Sequence, residues 1–118
     1  MALIARQNQV EAGLDLVLTA AAGGGDQVDN ADGKTIVIIR NGGGGSITAT
    51  VTAQNTSFGN QLEPIGQITK TNVARTIAAG GIAILGPFPT AVYNNTSNQI
   101  ALTYSGVTSV VVSPVKLP

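Results

Sequence analysis

From Ile47 to Gln54 the chain reads ITATVTAQ, with Ile47, Ala49, Val51 and Ala53 on one side of an extended backbone and Thr48, Thr50, Thr52 and Gln54 on the other. Period-two alternation of this length marks a strand with one buried face. The same rule predicts a half-buried strand over 14–20, LDLVLTA, in which Leu14, Leu16 and Leu18 oppose Asp15 and Thr19. It predicts another over 99–105, QIALTYS, with Ile100, Leu102 and Tyr104 on one face. Residues 34–40, KTIVIIR, are β-branched, bounded by breakers and apolar on both faces, which is the pattern of a central strand. IAILGPF begins a strand that stops before Pro87 and Pro89, and VTSVVVSPVKL closes the fold. Pro114 cannot donate a ladder hydrogen bond, so this last strand is expected at an edge or ending there.

Between these runs lie turn signals. The glycines of RNGGGGS put a hairpin connection at Asn41–Ser46, because glycine accepts the positive φ such turns need. GGGDQVDNADG, 23–33, reads as a polar loop, and TSFGNQLEPIGQ, 56–67, as a long one punctuated by Pro64 and Gly66. ITKTNVARTIA, 68–78, holds one long strand or two short ones, since the β-branched Thr69, Thr71, Val73, Thr76 and Ile77 disfavour a helix. Turns follow at 79–81 and at Ser105–Gly106. Seven to eight short strands with turns between them predict an all-β fold: a single antiparallel β-sandwich of Greek-key or jelly-roll type over residues 13–118. MALIARQNQVEA, 1–12, has no clean period and is expected to be an extended N-terminal arm, with a first strand of the same sheet as the alternative.

Composition narrows the chemistry. The 118 residues include two Phe, two Tyr and no Trp, so Ile, Val, Leu and Ala must fill the core. Each fully buried Val, Leu or Ile contributes about 1.5–3 kcal/mol, and so modest a core predicts that self-association or docking adds further burial. Six acidic and six basic residues cancel, with no basic stripe of the kind that displaces counterions from nucleic-acid phosphates. Charged residues make up only 10% of the chain, which leaves a surface of Thr, Ser, Asn, Gln and Gly suited to static protein contact. Glu11 and Asp15 interrupt the N-terminal segment before it can form a signal-peptide core, and no apolar run approaches the roughly 20 residues that cross a bilayer. Synthesis in a cytoplasm, with no membrane partner, is the expectation.

With neither Cys nor His in the sequence, thiolate sites, disulfides and the common serine triad are excluded. Gly33-Lys34-Thr35 matches the tail of a phosphate loop, but Val28 stands at the first glycine position and a strand follows where a helix should. Asp26, Asp29 and Asp32 beside Gly33 resemble part of a calcium loop, yet Val28 again holds the first ligand position. Solvated turn-forming aspartates are the simpler reading, so no metal and no cofactor is expected. The spacing of Glu11, Asp15 and Glu63 suggests no catalytic carboxylate pair, and no enzyme is predicted. A sugar site would need aromatic platforms. Phe88 and Tyr104 read as core, leaving Tyr93, beside Asn94 and Asn95, as the candidate for exposure. The N-x-S/T triplets at Asn55, Asn94 and Asn95 are expected by chance in so Asn- and Thr-rich a chain.

Residues 80–117 carry Gly86-Pro87-Phe88-Pro89, then Tyr93-Asn94, then IALTYSGVTSVVV, and DGKTIVIIRNGGGGSITATV precedes them. Over about half of the chain this pattern resembles small head decoration, or cement, proteins encoded near the capsid genes of tailed double-stranded DNA bacteriophages. The shared motifs are structural, and no established functional residue is carried across. The resemblance implies a structural virion protein on the capsid exterior. It would bind the major capsid protein and stabilise the shell by bridging its subunits, as a homo-oligomer with a trimer favoured. Leu3, Ile4 and Arg6, two apolar anchors and one charge, are then the residues expected to contact the capsid from the arm. The alternative is a host-glycan-binding or fibre-associated β-module. A minor tail or baseplate protein is a third reading.

Overall fold

β-branched residues and repeated glycines leave little of the chain able to hold a helix, and extended backbone dominates. The computed structural model describes residues 2–54, 57–58, 68–69 and 71–117. Its strands are β1 (Ala2–Ile4), β2 (Gln7–Asn8), β3 (Thr19–Ala20), β4 (Asp26–Asp29), β5 (Thr35–Asn41), β6 (Ile47–Val51), β7 (Ser57–Phe58), β8 (Ile68–Thr69), β9 (Val73–Ile77), β10 (Ile82–Leu85), β11 (Gln99–Tyr104) and β12 (Val110–Lys116). A single helical turn, α1 (Thr90–Tyr93), lies between β10 and β11. The strands form two packed sheets, so the fold is the all-β sandwich that the alternation implies. Sheet A has the order β1-β4-β11-β6-β9 and sheet B the order β10-β5-β12-β2, with β3 also on β12. Among the described residues β7 and β8 pair with each other and with no other strand.

The inward residues of the two sheets make one core. Val37 and Ile39 of β5 and Val112 of β12 oppose Val28, Ala49, Val51, Ile100 and Leu102 from sheet A, and all are fully buried. Phe88 and Tyr93 join this core with their rings edge to face, 5.7 Å between centroids. That geometry adds about 0.5–1.5 kcal/mol to the burial of the rings themselves. Tyr93 is therefore buried at 7% exposure, against the expectation of a surface position.

The strands over 34–40, 47–54 and 99–105 lie where the periodicity puts them, and 68–78 resolves into the two short strands β8 and β9. Most of the 56–67 loop lies outside the described residues. Elsewhere tertiary pairing overrides local pattern. The polar stretch 23–33 contains β4, held between β1 and β11. Its Val28 is core, and the inward Asp26 carboxylate accepts the Tyr104 hydroxyl at 2.8 Å and the Ala22 N–H at 3.2 Å. Of the strand expected over 14–20 only Thr19–Ala20 forms, on Val111 and Val112 of β12; further along that edge Pro114 has no N–H to donate and β2 takes Val115 and Lys116. β12 itself is interior, between β5 and the β2/β3 pair. Pro114 is tolerated there because β3 ends at Val112 and β2 begins at Val115, so the outer side of β12 is unpaired around it.

The glycine run is not a hairpin. β5 belongs to sheet B and β6 to sheet A, so Gly42–Gly45 carry the chain across the sandwich. None of the four has a positive φ. The corner is held by the buried Asn41, whose amide donates to Gly45 O at 2.8 Å and Ile77 O at 3.0 Å and accepts from Gly43 N at 3.1 Å. The N-terminal residues make a second crossing. β1 runs parallel to β4 at the edge of sheet A, and β2 runs parallel to β12 in sheet B. The sheets are thus mixed, their two parallel pairings both coming from this one segment.

Candidate functional site

Of the three residues expected to reach outward from an arm, the structure leaves one doing so. Ile4 pairs with Val28 and is core, while Leu3 on the opposite face is exposed. Arg6 lies at the crossing between sheets, with only 15% of its side chain exposed. Its guanidinium donates to Asp32 Oδ1 at 2.7 Å and Thr35 Oγ1 at 3.0 Å, and reaches Asp29 Oδ2 at 3.5 Å. Lys116 Nζ stands 3.6 Å from Asp32 Oδ2. The Lys34 N–H, then Arg6 and Lys116, hold the Asp32 carboxyl down to about 2, against a partly opposing loss of hydration. The cluster fastens 2–8 to the body.

The same contacts engage the aspartates of the candidate calcium loop. Asp26 points into the sandwich, and Asp29 and Asp32 turn to Arg6, so the three carboxylates do not converge. No group of ligands able to hold a metal ion occurs among the described residues. Gly33-Lys34-Thr35 leads into β5, with Thr35 buried and its hydroxyl donating to Asp29 O. Both tyrosines are engaged: Tyr93 donates to Thr71 O at 3.1 Å and Tyr104 to Asp26. Burial first, and then the hydrogen bond and charge of Asp26, push the Tyr104 phenol far above its ordinary range.

What distinguishes the exterior is the contrast between its two faces. Register fixes which side chains point out, because residues paired across neighbouring strands share a face and alternate positions along each strand take opposite ones. On sheet A the outward set includes Gln27, Thr48, Thr50, Thr76, Gln99 and Thr103. On sheet B it includes Ile36, Ile38, Arg40, Ile82, Ile84 and Val111, while Ser113 and Val115 point the same way but are buried. Ile82 stands opposite Arg40 and Ile84 opposite Ile38, and these two isoleucines are 65% and 64% exposed. Segment 9–18 hangs beside the same sheet, with Val10, Leu16, Val17 and Leu18 exposed. Gln7 holds it: its amide accepts the Val17 N–H at 2.8 Å and donates to Val17 O at 3.0 Å and Ser113 Oγ at 2.9 Å. On the opposite side of the body an open cleft of about 670 Å³ separates β9 from β10, lined by Val73, Ile77, Ala83 and Leu85 among others. Sheet B thus offers apolar area around one guanidinium, and sheet A offers hydroxyls and amides.

The signal for this face was present in KTIVIIR and IAIL. KTIVIIR does form a central strand of its sheet, but a two-layer sandwich covers only one face of each sheet. The second apolar face is then an exterior. The chain matches no family model, no curated protein and no solved structure.

Proposed function

We propose that the protein is a structural component of a virion that binds the outer capsid surface through sheet B and stabilises the shell by bridging major capsid subunits. The observation that carries this reading is the unlike exterior: an isoleucine-rich face on one sheet, a threonine- and glutamine-rich face on the other. A decoration protein needs that polarity, since one face must lose water against the shell while the other stays in it. The resemblance of residues 80–117 supplies the class of partner. The contact set shifts accordingly from Leu3, Ile4 and Arg6 to Ile38, Ile82, Ile84 and Val111, because Ile4 and Arg6 are committed to the body. Synthesis in the host cytoplasm and assembly onto the capsid exterior, as a homo-oligomer, complete the proposal.

The test is co-sedimentation of the purified protein with expanded shells of the same virus, counting copies per major capsid subunit. A ratio near one is expected. Burying the exposed Ile82 and Ile84 against the shell would contribute up to about 3–6 kcal/mol, so Ile82→Lys with Ile84→Lys should weaken shell binding at least a hundredfold. A handful of copies per particle, or no co-sedimentation at all, would overturn the proposal in favour of a fibre or tail role.

A further inference from the structure

We infer that copies of this chain associate head to tail by strand addition, residues 14–18 of one copy pairing with the free edge of β10 in the next. The acceptor is a bare edge. β10 ends sheet B, and no described strand lies beyond it. Natural edges are usually blunted by charge, proline or an inward-pointing ionic group. β9, the neighbouring edge of sheet A, has that device: Arg75 pairs with the fully buried Ala49, so it stands on the inward side of its strand. β10, Ile-Ala-Ile-Leu, has no such residue, and both its isoleucines are exposed.

The donor is a strand without a sheet. LDLVL alternates as a strand should, yet Leu16, Val17 and Leu18 are exposed, and among the described residues neither Leu14 nor Leu16 makes a backbone hydrogen bond. Gln7 satisfies both backbone groups of Val17. In extended chain, successive residues aim these groups to opposite sides, so the edge presenting Leu16 and Leu18 is left open. Five residues of donor meet four of acceptor. Placed beside β10 with its leucines inward, the segment would lay them over Ile77, Ala83 and Leu85 in the 670 Å³ cleft.

Charge agrees. The donor loop carries only Glu11 and Asp15, the acceptor side only Arg40 and Arg75, and none of the four makes an ion pair among the described residues. Donor and acceptor sit at opposite edges of sheet B, so each copy can give and receive, and such heterologous contacts close into a ring or grow.

The inference concerns the protein alone and is tested without shells, which separates its failure from that of the capsid reading. Full-length chain at about 50 µM is examined by sedimentation velocity as wild type, Leu16→Asp (donor lost), Ile84→Glu (acceptor lost, acid set against an acidic donor) and an equimolar mixture of the two variants. Both positions are exposed, and unchanged melting temperatures confirm that the variants fold. Wild type should form oligomers, each variant alone should be monomeric, and the mixture should form dimers and nothing larger, because each variant keeps one working half. A monomeric wild type, a variant that still associates, or a mixture that stays monomeric would each overturn the inference.

Discussion

Four consecutive glycines in one crossing make a controlled experiment, because the structure assigns them different reasons to be glycine. A Cβ built on Gly43 would lie 2.8 Å from Thr108 O and 3.3 Å from Asn41 Oδ1, and one on Gly42 would lie 2.9 Å from Ser109 O. Those carbonyls are backbone at the entry to β12, where Ser109 already holds a φ of 57°, and Gly42 N donates to the same Ser109 O at 2.9 Å. Neither strand can step back without disturbing a paired ladder. Forcing a methyl group into such a gap costs about 1–3 kcal/mol. Around Gly44 and Gly45 a Cβ meets nothing within 4 Å, and neither has a positive φ. Alanine there should reduce the freedom of the unfolded chain and stabilise by about 0.4–1 kcal/mol. At about 4 °C per kcal/mol for a domain of this size, Gly42→Ala and Gly43→Ala should melt roughly 4–12 °C lower, and Gly44→Ala and Gly45→Ala roughly 2–4 °C higher. Urea midpoints compared at constant m-value give these free energies without a contribution from altered compactness of either state. Equal effects at all four positions would show that loop flexibility, not close approach to Thr108 and Ser109, explains the run, and the account of the corner would fail.

Acid should loosen the N-terminal crossing. Asp32 titrates near 2 in the folded protein against an ordinary 3.8, so its contribution is complete above about pH 4 and is lost as pH falls toward 2. The melting temperature should drop across that window, and Asp32→Asn should flatten the drop; an identical acid profile in the variant would contradict the assignment. At alkaline pH the order reverses. Tyr104 is raised, so its contribution is intact below the ordinary phenol value near 10 and is lost as pH rises beyond it. Ultraviolet titration of the folded protein should leave the Tyr104 phenol un-ionised until unfolding, and Tyr104→Phe should remove that silent group. The same variant leaves the buried Asp26 with the Ala22 N–H but no hydroxyl, at a cost of about 1–3 kcal/mol in urea unfolding. A loss under 0.3 kcal/mol would mean the pair does not matter.

The sheet-forming character of this chain was legible residue by residue, while the interaction surface was legible only as an anomaly. ITATVTAQ and QIALTYS name their buried faces because side chains alternate across a strand whatever its neighbours are. KTIVIIR and IAIL announced more apolar surface than a two-layer body can hide, although the pattern could not say that the excess was the outer face of sheet B. DQVD was invisible as a strand, since its one apolar residue is Val28 and its inward Asp26 is made acceptable by Tyr104, 78 residues away. LDLVL failed in the opposite sense, with strand chemistry and no partner edge inside its own molecule.

The sequence alone therefore determined extended backbone, the inward residues of β6 and β11, and an interior of aliphatic side chains without histidine or thiol. Those properties follow from local sterics and composition. Only the tertiary structure decided that the glycines cross between sheets, that Arg6 joins Asp29 and Asp32, that Pro114 lies in an interior strand, and which face of each sheet meets water. Such outcomes depend on which edges are free when strands pair, and a ladder hydrogen bond joins residues whose separation along the chain carries no information about their meeting.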